Sequence, residues 1–209
     1  MLEINTYSRQ ELFEIYKTER LDAIKKKLLR DGYEYTTSGR GKDFTLTVTK
    51  LPLRFRLFCI ERLHFKPQTD FKHLKKFLYR FMFDEQFRRE PYVGMKETMI
   101  GDVYIGEATI SKYVNQLYDE NMIQFGNPIY YAINKITREY KFISEETYKT
   151  AWSIYYENIE YGYNEAITSA VSYAGGFPMK RGEIMFNAFE NERIDTLMEI
   201  LKEEINVDE

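Results

Sequence analysis

The period of the apolar positions changes several times along the chain. Ser8 and Glu11 stand in the spacing of a capping box, which predicts a short helix with Leu12, Ile15 and Tyr16 turned inward. Leu21, Ile24 and Leu28 recur at i, i+3 and i+7, the stripe of a second helix that runs to Arg30, with Thr18 as its N-cap. Asp31-Gly32 ends it, because glycine takes the left-handed cap without a steric cost. Tyr33–Thr37 and Phe44–Val48 then alternate around the polar, glycine-bearing segment 38–43, which predicts a β-hairpin with a flexible tip. Residues 53–63 fit a helix and a strand alike, and Pro52 at a first turn favours the helix.

Residues 64–70 read as a linker with Asp70 as N-cap to a helix of residues 71–83. Phe71, Leu74, Phe77, Leu78 and Phe81 line its inner side, and Lys72, Lys75, Lys76 and Arg80 the open one. Pro91 falls in the following loop, and residues 91–100 are open between a short helix and a strand. Ile110, Val114 and Leu117 mark a further helix from Ala108. Strand-like runs follow at 123–125, 129–134 and 140–143, separated by Gly126-Asn127-Pro128 and the basic turn Lys135–Arg138. Tyr148, Trp152, Tyr155 and Ile159 form an aromatic stripe on a helix opened by Ser144. That stripe reads as core before it reads as a base-stacking platform. Residues 166–174 form another helix, stopped by Gly175-Gly176-Phe177-Pro178. A last helix over about residues 191–205 has Ile194, Leu197, Met198, Leu201 and Ile205 on one face. Such a face either docks on its own core or pairs with a copy of itself.

With 209 residues, 44% hydrophobic and 30% charged, the chain has the composition of a globular protein of one to three domains. No apolar run approaches the ~20 residues that span a bilayer, and Glu3 is unsuited to a signal-peptide start. Cys59 is the single cysteine, which excludes an internal disulfide and fits a reducing, cytoplasmic setting. One cysteine with His64 and His73 is a poor ligand set for a structural zinc. The net charge of -3 conceals a gradient: the first hundred residues hold 21 basic and 14 acidic side chains, the remainder 9 and 19. The front half therefore suits a polyanion.

The polar faces sharpen this expectation. Opposite the stripe of the second helix fall Arg20, Ala23, Lys26, Lys27 and Arg30, a basic face with one small residue. Arg40 and Lys42 sit in the hairpin tip. Opposite Ile110, Val114 and Leu117 stand Thr109, Lys112, Asn115 and Gln116, whose hydroxyl, amine and amides are groups that bond base edges. Lys135 and Arg138 occupy the turn beyond. No Walker A, GxGxxG, His-Glu-x-x-His or GxSxG pattern occurs, so an enzyme is the weakest reading and no cofactor is implied. Cys59, between Phe58 and Ile60, reads as a packed thiol rather than a nucleophile.

Helix, tight turn, basic helix and basic hairpin is the order of a winged helix-turn-helix. The later run, with Ala108-Thr109 opening a helix, Tyr113-Val114 and Leu117 in its core and Glu120-Asn121-Met122-Ile123 leading out, resembles the recognition helix and wing of that family over about residues 101–143. The layout is also similar to the winged helices of plasmid and phage replication initiators and replisome organisers of Gram-positive bacteria. The expected fold class is mainly α with small β-wings (α+β). A winged-helix unit at 1–51 would be joined by a connecting helix and linker at 52–70 to a second at 71–143, with an acidic helical region at 144–209. The resemblance implies a sequence-specific double-stranded DNA binder, either a transcriptional regulator or an origin-binding protein of a mobile element. Arg20, Lys26, Lys27, Arg40, Lys42, Lys135 and Arg138 would meet DNA beside the base-reading Thr109, Lys112, Asn115 and Gln116. A homodimer through the C-terminal helices and a protein partner at the acidic end are further expectations. The competing reading is a protein-interaction module, an adaptor or inhibitor of a nucleic-acid enzyme built on winged helices.

Overall fold

The computed structural model describes residues 2–206. The protein is mixed α+β with two small antiparallel sheets. Two compact units are present: one runs to Lys75 and takes up the chain again from Thr196, and the other is Lys76–Asp195.

The first unit opens with strand β1 (Thr6–Ser8), helix α1 (Arg9–Tyr16) and helix α2 (Leu21–Asp31). The capping box forms: Ser8 N–H donates to Glu11 Oε2 at 2.7 Å and Glu11 N–H to Ser8 Oγ at 3.3 Å. Lys17 then takes a left-handed turn, and the second helix starts later than expected. Arg20, not Thr18, is its N-cap, and Thr18 Oγ1 accepts instead from the Arg20 amide at 3.3 Å. At the far end Gly32 adopts φ 96 and closes the helix on the Leu28 carbonyl at 3.1 Å. Strands β2 (Glu34–Ser38) and β3 (Thr45–Lys50) form the hairpin. β1 adds to its far side, giving the order β1-β3-β2, with Tyr7 and Thr37 both opposite Leu46. Leu12, Ile24, Leu28, Leu46 and Val48 fill the core beneath. Ile15 was expected there but is exposed, because Phe13 and Tyr16 supply the rest of the packed face of α1. The ambiguous segment is helical as α3 (Arg54–Glu61) and buries Phe55, Leu57 and Cys59.

Helix α4 (Phe71–Phe83) begins in the first unit, where the Asp70 side chain accepts from the His73 amide at 3.0 Å. Lys75, expected on its open side, is buried. In the second unit Phe77 of α4 packs on Phe81, on Phe87 of α5 (Glu85–Arg89) and on Tyr113. The open segment resolves as helix α6 (Tyr92–Met99), with Pro91, at the end of the loop, as its N-cap. Helix α7 (Glu107–Asp119) follows, burying Ile110, Tyr113, Val114 and Leu117. The expected break at Gly126-Asn127-Pro128 is a bulge within one strand, β4 (Ile123–Ile133). Strand β5 (Tyr140–Phe142) pairs along one side of it.

Helices α8 (Glu145–Asn158) and α9 (Tyr163–Ala174) form an antiparallel pair that closes over the sheet, with Ala132 of β4 against Ala151, Ala170 and Ala174. Beyond them lies β6 (Phe177–Phe186), a strand for which the sequence shows no clear pattern. It completes the order β5-β4-β6, and its edge position tolerates Pro178. On the sheet's other face, Tyr140 meets α6 so closely that a Cβ at Gly94 would lie 2.6 Å from its hydroxyl. Helix α10 (Asn191–Glu204) starts in this unit and ends in the first. Its Ile194, Leu197, Ile200 and Leu201 are buried, and Met198 and Ile205 are half-buried. In the first unit the Glu204 carboxylate caps α3, accepting from the Arg54 amide at 3.0 Å and the Phe55 amide at 3.1 Å. No helix among the described residues is long and apolar enough to cross a membrane.

Candidate nucleic-acid interface

In the first unit, α2 presents the basic face that its period predicts, but its charges divide into two groups. Arg20 and Lys26 are exposed and have no carboxylate partner among the described residues. Lys27 and Arg30 both turn to Asp31: Lys27 Nζ lies 2.8 Å from Oδ2 and Arg30 Nε 3.2 Å from Oδ1. The Asp31 carboxylate is almost wholly buried, so part of the positive charge of these two side chains is already balanced. Lys25 leans over the Phe44 ring with its Nζ 5.0 Å from the centroid, and the Tyr35 hydroxyl donates to the Lys25 carbonyl. These two contacts hold the hairpin against α2.

The hairpin tip owes its shape to glycine. Gly39 and Gly41 have φ of 70 and 59, and a Cβ on Gly39 would lie 2.1 Å from the Asp43 carbonyl oxygen. Arg40 and Lys42 alternate with these glycines and are exposed. Arg9 is a cation that the helical period of α2 does not reveal. It belongs to α1, yet lines the same shallow cleft as Arg20 and Lys26, together with Glu19 and Asp22. Its only sequence signal is the position directly after the capping Ser8.

In the second unit α7 turns Lys112 and Asn115 to solvent, while Thr109 is half-buried. Gln116 is half-buried too, and its Nε2 donates to Glu120 Oε1 at 3.3 Å. The start of α7 is fixed from two sides. Arg138 donates to both Glu107 carboxylate oxygens, at 2.6 and 2.5 Å, and a side-chain hydrogen bond joins Tyr92 of α6 to Ser111. Burial pushes the Tyr92 hydroxyl above its ordinary pKa, so it remains neutral beside Ser111.

The turn between β4 and β5 is closed by Asn134, whose side-chain oxygen accepts from the Ile136 and Thr137 amides. Arg138 completes that turn in the left-handed region, at φ 64. The structure therefore brings Arg138 to the α7 N-terminus. It carries Lys135 elsewhere, with its Nζ 3.6 Å from the centroid of the Phe177 ring. Tyr104, just before α7, is largely exposed and adds an aromatic surface that no periodicity marks.

Behind this face Arg181 of β6 is another residue that sequence pattern does not single out. It stacks over Tyr92 at 5.4 Å and donates through Nη2 to the Arg88 carbonyl at 2.6 Å. Burial lowers its guanidinium pKa, and its buried Nη1 has no hydrogen-bond partner among the described residues. Among the described residues no group of three or more His, Cys, Asp or Glu is placed to hold a metal ion. His73 Nδ1 lies 3.2 Å from Asp70 at the cap of α4, and His64 takes φ 50 in the preceding loop.

Chemically the two faces differ. The first offers unpaired cations on a helix and on a tip, which suit phosphates. The second offers one amine and two amides beside several carboxylates, which suit directional bonding more than bulk charge. No family model, curated protein or solved structure matches the chain.

Proposed function

We propose that this protein is a sequence-specific double-stranded DNA-binding protein built on two winged-helix units. It would act as a transcriptional regulator or as an origin-binding protein of a phage- or plasmid-type element. One observation carries the reading. In the first unit a strand, a helix, a four-residue turn and a second helix lead into a hairpin whose second strand takes up that first strand, in the order β1-β3-β2. The unpaired cations Arg20 and Lys26 stand on the second helix, and Arg40 and Lys42 at the hairpin tip. In such an arrangement the helix enters the major groove and the wing touches backbone. The second unit supports the reading through α6, α7 and the β4–β5 hairpin, with Lys112, Asn115, Thr109 and Gln116 as the base-reading set and Lys135 and Arg138 in its wing.

Selection of bound duplexes from a random pool at two salt concentrations tests the proposal. A preferred motif that survives the higher salt supports it, and its symmetry reports the number of copies bound. Absence of any enriched motif overturns it. Once a motif is known, Lys112→Ala should relax preference by ~1–3 kcal/mol at each base pair that the amine reads. Lys42→Ala should instead weaken every sequence alike.

The second reading is a protein-interaction module. It is favoured by Glu107 and Glu120, which already engage Arg138 and Gln116 at the α7 face. A protein complex that is recovered after nuclease treatment, without an enriched duplex motif, would support that reading.

A further inference from the structure

We propose that the outer aromatic face of the α8–α9 pair docks an arginine- and lysine-rich peptide segment of a partner protein. The sequence pattern suggests core for the stripe Tyr148, Trp152, Tyr155 and Ile159; the structure leaves its three rings half-buried and Ile159 exposed, and sets further tyrosines open beside them. Tyr156, Tyr161 and Tyr163 are each more than 60% exposed, at 67%, 67% and 62%. Trp152 lies at the centre of a connected set of rings, 5.4 Å from Tyr155, 6.3 Å from Tyr156 and 6.1 Å from Phe177, and Tyr155 continues the set to Tyr163 at 6.2 Å. Tyr148, Lys149, Trp152, Ser153 and Tyr156 line an open groove along α8.

The charge around these rings selects the occupant. From α8 to the end of α9 the carboxylates are Glu145, Glu146, Glu157, Glu160 and Glu165, against Lys149; Lys135 and Lys180 reach the rings from outside that stretch, which leaves five carboxylates against three amines. Lys149 is already paired with Glu145 at 2.8 Å. Glu157 is held at the groove by Ser153, whose Oγ donates to it at 3.0 Å. Ring faces beside carboxylates attract cations and repel phosphates, so a basic peptide suits this groove and a single-stranded nucleic acid does not. Rings of the same set already take cations from within the chain. Lys135 sits over Phe177 at 3.6 Å, and Lys180 lies 5.9 Å from the Tyr148 ring centroid. The inference is separate from DNA binding: none of the groove's aromatic or acidic residues belongs to the proposed DNA-reading faces, and Lys135, over the Phe177 ring, is the one side chain shared with the proposed wing.

Trp152 is the single tryptophan of the chain, so its emission reports this groove directly. The 209-residue chain is titrated with octa-arginine, with octa-glutamate and with an oligothymidylate single strand. Octa-arginine is expected to change the emission saturably and the other two to leave it unchanged. Tyr156→Ala, and separately the double variant Glu157→Gln with Glu160→Gln, should each weaken the arginine titration by about tenfold. Circular dichroism of both variants should match the parent, since all three side chains are exposed. No saturable change with octa-arginine, or a change that both variants leave intact, overturns the proposal. Saturation by the oligothymidylate that disappears in Tyr156→Ala also overturns it, in favour of base stacking.

Discussion

The division of charge on α2 makes a quantitative prediction about salt. Arg20, Lys26, Arg40 and Lys42 stand free of carboxylate partners among the described residues, whereas Lys27 is bound to Asp31 at 2.8 Å. At about 0.9 per neutralised phosphate, four such contacts give a log-log slope of about -3.6, and a fifth from Arg9 would bring it to about -4.5. Raising salt from 50 to 200 mM should then weaken duplex binding by roughly 150-fold to 500-fold. Lys26→Ala should make the slope shallower by about 0.9. Lys27→Ala should leave the slope nearly unchanged and instead lower folding stability by about 1 kcal/mol, because the buried Asp31 keeps only Arg30 as an ionic partner. Fluorescence anisotropy with a labelled duplex over a salt series measures the first quantity, and urea denaturation the second. A parent slope shallower than about -1, or a slope that responds to Lys27→Ala and not to Lys26→Ala, would refute the assignment of α2 as the phosphate-facing helix.

The other expectations concern the parts that hold this face in place. Glu204→Ala removes both acceptors from the buried amides at the start of α3 and should cost about 2–4 kcal/mol in denaturant unfolding, while a change below about 0.5 kcal/mol would show that the cap is dispensable. Gly39→Ala places a Cβ against the Asp43 carbonyl at a positive φ, so the tip must rearrange. It should cost about 1–2 kcal/mol of stability and weaken all duplexes together, and unaltered binding would remove Arg40 and Lys42 from the interface. Burial pushes the Tyr16 hydroxyl up to about 12, so the folded state favours the neutral phenol while the unfolded chain ionises near its ordinary value of 10. The stability it supports is complete below pH 10 and is lost as pH rises through about 12; Tyr16→Phe should flatten that part of an alkaline denaturation profile, and an unchanged profile would contradict the assignment.

Much of the local structure is written in short-range spacing. The capping box at Ser8 and Glu11, the Asp70 cap, the Gly32 stop and the buried stripes of α2 and α7 all depend on groups within a turn or two of one another. Helix geometry alone sets which of those residues meet. The same spacing did not show that Thr18 would give way to Arg20 as N-cap; Lys17, left-handed and bonded through its amide to the Phe13 carbonyl, closes α1 and delays the start of α2. Strand partners lie further outside its reach. β1 is only three residues long and finds β3 across some forty residues of chain, and β6 joins β4 from beyond two helices, with Pro178 tolerated because the strand is an edge.

The candidate site divides along the same line. Its residue types and faces follow from the sequence: a basic face on α2, a glycine-shaped basic tip, and a polar face on α7. Which of those charges are available was decided within α2 by the i, i+4 pair of Lys27 with Asp31, and elsewhere by tertiary contacts: Glu107 against Arg138, Phe177 beneath Lys135, and Arg9 brought beside Arg20. Periodicity assigns a side chain to a face. Whether its charge is already balanced depends on its neighbours within a turn of the helix, as for Lys27 and Arg30, and otherwise on groups that only the closed fold carries within hydrogen-bonding distance.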